Sequence, residues 1–280
     1  YTGYMVCIFS IIYFVYLLLS RIDAVKEIKL FKQSIKYYVL FSILSICLAA
    51  FILIPVFFSL QGGRIAFSTN SSWKPGFELG LGWFVTRFFS NNSFEISTLP
   101  NVFCGILPLV LLILFFLNKK IKTKEKILAA GVLGILIISL LVPAIDIVWH
   151  GFNKPNTFPA RYSFAYIFFV LFISYQSLCN LKKGTKKWHL LVVLALLIVP
   201  VLLLLEKRST KTNLFDLTLI VSEVLVIFFI LSQYWGREKL RKILFCVLVC
   251  LQIGNLFINA LYSINFGWNG VYRDKAHMTM

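Results

Sequence analysis

Ile127-Leu-Ala-Ala-Gly-Val-Leu-Gly-Ile-Leu-Ile-Ile-Ser-Leu-Leu-Val-Pro-Ala-Ile-Asp-Ile-Val-Trp149 decides the fold class. A bilayer core of about 30 Å takes about 20 apolar residues in helical form. This run is that long and carries one charged side chain, Asp146. Ahead of it, Asn118–Lys126 holds five lysines; behind it lies a short polar stretch with two prolines. An apolar run between such borders predicts a membrane helix.

The same pattern repeats in both directions. Eight runs qualify, at approximately 2–20, 37–60, 102–117, 127–149, 163–178, 189–205, 214–235 and 243–262. The fold class expected is all-α, a polytopic transmembrane helical bundle of about eight spans over residues 1–262. Residues 263–280 then begin an outward-facing segment that is cut short. The chain opens on Tyr1 and stops on Met280 soon after a span, so it reads as an internal piece of a longer protein.

Composition excludes the soluble alternatives. With 59% hydrophobic residues, 14% charged and a mean hydropathy of +0.85, the chain lacks the polar surface to cover a soluble core. The net charge of +17 does not make it a nucleic-acid binder, because Lys and Arg gather in connectors rather than along one face with interleaved aromatics. Six cysteines lie in or beside apolar runs with no CxxC or metal-ligand spacing, so neither a disulfide framework nor a zinc site is expected. No resident cofactor is expected either.

The basic residues set the orientation. Connectors 21–36, 118–126, 179–188 and 236–242 hold 18 of the 28 Lys and Arg residues. The alternate set, 61–101, 150–162, 206–213 and 263–280, holds 10 over a longer stretch of chain. The positive-inside rule places the first set in the cytoplasm. The Gly- and aromatic-rich loop 61–101 and the stretch 146–164 then face outward.

Polar chemistry concentrates in that second stretch, Asp146 to Phe164. Asp146 and His150 are four apart and share a helix face, and Pro143 one turn earlier is expected to kink the helix there. Asn153 and Asn156 follow, and Arg161 and Tyr162 open the next helix after Pro155 and Pro159. A guanidinium fixed at the membrane surface suits bidentate capture of a phosphate. Arg161 equally suits an ion pair with Asp146 or contact with lipid headgroups, and both readings stand. Glu223, mid-span with Asp216 on its face, reads as a hydrated or hydrogen-bonded packing residue, or as a coupling acid. Asn255, Asn259 and Gln252 read as amides that hydrogen-bond across helices.

Three segments carry a resemblance: Gly3-Tyr4-Met5-Val6-Cys7, Leu99-Pro-Asn-Val-Phe-Cys-Gly105 and Trp149-His-Gly-Phe-Asn-Lys-Pro-Asn-Thr-Phe-Pro-Ala-Arg-Tyr-Ser-Phe164. In order and over nearly the whole chain, they resemble the YfhO family of bacterial membrane proteins. Ala160 departs from the aromatic expected before Arg161, and Asn255 from the acid of some members. The family is similar to the GT-C glycosyltransferases, polytopic enzymes that pass a sugar from a polyprenyl-phosphate donor to an acceptor outside the membrane. Members are implicated in decorating envelope polymers such as lipoteichoic acid.

The resemblance implies a bacterial plasma-membrane enzyme whose partners are a polyprenyl-phosphate-linked sugar, an envelope polymer and the lipid bilayer. Its catalytic acid is expected upstream of Tyr1, with Asp146 the candidate inside the chain. Arg161 and His150 are expected on the donor phosphate, with Asn153, Asn156 and Tyr162 completing the substrate site. The rivals are a transporter or flippase of lipid-linked substrates, coupled through Glu223, and a non-catalytic envelope scaffold. A transporter predicts internal repeats and broken midplane helices, and no convincing repeat is present.

Overall fold

A computed structural model of the chain describes residues 2–22, 27–62, 102–152, 160–180, 238–240, 242–254 and 256–257. Most of the loop 61–101, the expected spans 189–205 and 214–235, and Asn153, Asn156, Glu223, Asn255 and Asn259 lie outside them. Six helices run in order: α1 (Thr2–Arg21), α2 (Ile28–Gly62), α3 (Ile106–Leu117), α4 (Thr123–Leu141), α5 (Pro143–Trp149) and α6 (Ser163–Cys179). Residues 242–254 are also helical, and no strand occurs among the described residues.

α1 and the Ile28–Pro55 part of α2 are long and apolar enough to cross a bilayer; α3 and α6 are shorter apolar helices. α2 begins nine residues before the expected start at 37 and reaches 35 residues, roughly 52 Å at about 1.5 Å per residue. Its early start is explained by Lys29, Lys32 and Lys36, which favour helix and can carry their charge beyond the apolar part. Outward faces are apolar too. Phe41, Leu48, Phe51 and Ile54 of α2 and Ile127, Ile135 and Ile138 of α4 are exposed. Surface of this kind is what lipid, not water, covers.

By contacts the chain divides into Tyr1–Gly76 with Ile127–Asn156, and Phe77–Lys126 with Thr157–Met280. In the first unit, α1 buries Met5, Phe9 and Tyr16 along one face. Its opposite side meets α2 at Tyr38, whose ring stacks on Phe14 at 3.9 Å between centroids and whose hydroxyl lies 3.0 Å from Ser10 Oγ. α4 buries Ala129, Val132, Leu133, Leu136 and Leu140, a single stripe at helical spacing.

The expected kink at Pro143 is instead a break. Val142 is extended (φ −108, ψ 110), and Pro143 opens a separate seven-residue helix at its first turn. A residue before proline is pushed out of the α region, and proline has no N–H to continue the ladder. Val142 closes α4 by donating to Ile138 O at 2.9 Å, then offers its own carbonyl to Ile145 N and Asp146 N.

In the second unit α3 packs along α6. Val110, Leu111, Leu114 and Phe115 form the buried stripe of α3; Tyr166, Phe169, Val170, Ile173, Ser174 and Ser177 form that of α6. Ser174 Oγ donates to Pro108 O at 2.7 Å near the start of α3. Asn118 Nδ2 donates to Asn180 O at 3.0 Å just past the ends of both helices. The two helices therefore run parallel. Asn118, fully buried, extends the α3 stripe by one turn, and its Oδ1 also accepts from Lys120 N at 2.9 Å. Lys126 Nζ reaches back to Phe116 O at 2.7 Å, serving a carbonyl that the end of α3 leaves without a helical partner.

Candidate functional site

The polar stretch 146–164 enters from α5 and leaves into α6, and each end is built differently. Asp146 lies in the first turn of α5, where an acid is favoured by the positive helix end. His150 caps that helix. Its Nδ1 donates to the Asp146 main-chain oxygen at 2.9 Å and lies 3.4 Å from Asp146 Oδ1. Both residues are buried, His150 at 3% and Asp146 at 8% exposure.

Beyond His150 the helix closes in a left-handed turn. Gly151 has φ +65 and donates to Val148 O at 3.2 Å, while Phe152 N donates to Ile147 O at 2.9 Å. This is the Schellman arrangement, with glycine at the position where a Cβ would be strained. Phe152 is also left-handed at φ +64 and stays exposed. A non-glycine residue there is held at a cost of about 1–2 kcal/mol.

At the other end, Ser163 N donates to Ala160 O at 3.0 Å, closing a turn with Arg161 and Tyr162 in its middle. Ala160 (φ +54) and Tyr162 are both buried, at 6% and 1% exposure, while Arg161 between them is exposed. The backbone of the arginine is thus pinned on both sides and its side chain displayed. Pattern in the sequence cannot reveal this, since Ala160 and Tyr162 need not have been inside.

The structure brings Asp146 and His150 together in the first unit. Arg161 and Tyr162 belong to the second, and Asn153 and Asn156 are outside the described residues. Among the described residues no group of three or more His, Cys, Asp or Glu side chains could hold a metal ion. All six cysteines are free.

One feature of the second unit was signalled only by the amides near its end. The Gln252 carboxamide lies against Gly105 Cα, in the space a side chain there would take, and Gly105 is left-handed at φ +88. Gln252 Nε2 is buried and has no hydrogen-bond partner among the described residues. Gly105 precedes α3, whose first turn has no side-chain cap.

Comparison with known proteins bears on the whole length. A family model described as bacterial membrane protein YfhO matches residues 1–277. The chain belongs to the YfhO family. No curated protein and no solved structure matches it. This YfhO protein is therefore a bacterial membrane protein, in keeping with its apolar helices and their apolar outward faces.

Proposed function

We propose that this YfhO chain belongs to a glycosyltransferase that moves a sugar from a polyprenyl-phosphate donor to an envelope polymer such as lipoteichoic acid. It crosses the bacterial plasma membrane several times, with 61–101 and 146–164 on the outer side. The observation that carries the reading is Arg161, a guanidinium displayed from a backbone whose two neighbours are buried. A planar, permanently charged fork on a fixed base suits a lipid phosphate, whose charge rises as the sugar departs. Asn153 and Asn156 lie within reach in sequence to hydrogen-bond sugar hydroxyls. Burial of the Asp146–His150 pair favours a positioning role, in which it holds the turn from which that loop leaves.

The test is transfer from a defined polyprenyl-phosphate sugar by purified full-length protein, with folding followed by melting temperature. Arg161→Ala is expected to lower turnover on the order of a hundredfold or more, the typical loss of one transition-state contact. Arg161→Lys keeps the charge without the fork and should recover only part of it. Asp146→Asn should lower the melting temperature more than the turnover of the folded fraction. A well-folded Arg161→Ala protein with unchanged donor affinity and turnover overturns the reading.

A further inference from the structure

We propose that the connector between α3 and α4, residues 118–126, binds the phosphate headgroups of anionic phospholipid. The inference rests on the membrane character of the family and is independent of sugar transfer. Asn118 is fully buried and holds the connector through its bonds to Asn180 O and Lys120 N; Ile121 is buried as a second anchor. Between and after these anchors, Lys119, Lys120, Lys122 and Lys124 are all exposed. No described carboxylate pairs with any of the four. Lys126 is turned inward onto Phe116 O, so it covers the negative end of α3. The positive end of the 19-residue α4 begins in the same connector. Four exposed ammonium groups and the α4 N-terminus, against the single carboxylate of Glu125, therefore leave this connector net positive, on a turn whose ordering has already been met by folding.

The flanks select an amphiphile over a free anion. α3 is apolar up to Leu117, and Ile127, directly after the connector, is 66% exposed. A phospholipid can set its phosphate among the lysines and lay its acyl chain along the apolar end of α3. Basic residues clustered at the end of apolar helices attract anionic lipid through its headgroup charge, and each lysine adds to the effect.

The experiment uses full-length protein in nanodiscs of phosphatidylcholine with or without phosphatidylglycerol. Retained lipid is counted by native mass spectrometry and stability by melting temperature. The wild type is expected to retain phosphatidylglycerol over phosphatidylcholine and to melt higher when it is present. Lys119→Gln/Lys120→Gln/Lys122→Gln/Lys124→Gln should lower that preference on the order of tenfold. The same four positions changed to Arg should preserve it. Equal retention of both lipids, or a Gln variant that keeps the wild-type preference, overturns the proposal. So does an equal melting shift of the wild type with glycerol 1-phosphate alone, because the site would then read a free phosphate. Should the Gln variant fail to fold, loss of preference in the folded Arg variant would equally overturn a charge-based site.

Discussion

The Gln252 carboxamide fills the space that a Cβ on residue 105 would occupy. Gly105 has φ +88 and ψ 162, a region that only glycine enters without strain. Gly105→Ala is therefore expected to destabilise full-length protein by about 1–3 kcal/mol from backbone strain, with the displaced amide adding to it. Gly105→Ala combined with Gln252→Ala should recover the steric part and leave the backbone part. A thermal-unfolding cycle reads this as a favourable coupling between the two changes. Strict additivity would show that the two residues do not meet.

Asn118 answers to a different test. Replacing it with Ala removes the donor to Asn180 O and the acceptor for Lys120 N, at a site with no access to water. A buried group left without its partner costs about 1–3 kcal/mol. Asn118→Ala should lower the midpoint of thermal unfolding accordingly.

Lys126 predicts a pH dependence. Burial lowers its pKa below the ordinary 10.5. Between the lowered folded value and the unfolded one, the unfolded chain binds more protons, so stability rises with pH through that alkaline window. Lys126→Met should remove this rise and lose the bond to Phe116 O. Unfolding of the two proteins across the window checks it, and parallel curves would refute the assignment.

Orientation is testable with single cysteines in a protein freed of native thiols. Cysteine in place of Lys124 should be shielded from an impermeant thiol reagent in intact cells. Cysteine in place of Asn156 should react. The reverse pattern would turn the proposed site to the cytoplasm and remove its access to an outer acceptor.

Helices α1, α3, α4 and α6 were legible in the sequence because apolar runs must bury or meet lipid as helices. The break at Val142 was not, because a proline in an apolar run is compatible with a kink or a new helix. Which occurs depends on whether the next turn finds its own carbonyl, here Val142 O. Asp146 and His150 were legible as a pair because helical spacing is local. The bond from Asn118 to Asn180 joins residues 62 apart and was invisible until α3 and α6 were seen to lie side by side. Arg161 was legible as a charge in a constrained loop; its presentation depended on the burial of its neighbours.

Asn118 also settles a matter of register. The facing stripes of α3 and α6 are mainly aliphatic and aromatic, and such surfaces could slide past one another by a helical turn, about 5.4 Å, at little loss of apolar contact. Hydrogen bonds to Asn180 O and Pro108 O cannot slide. They pin α6 at its tail and along its length, and α6 carries Arg161 just ahead of its first residue. The height of that guanidinium relative to the start of α3 is thus fixed by amide and hydroxyl groups up to about 26 Å away along a 17-residue helix.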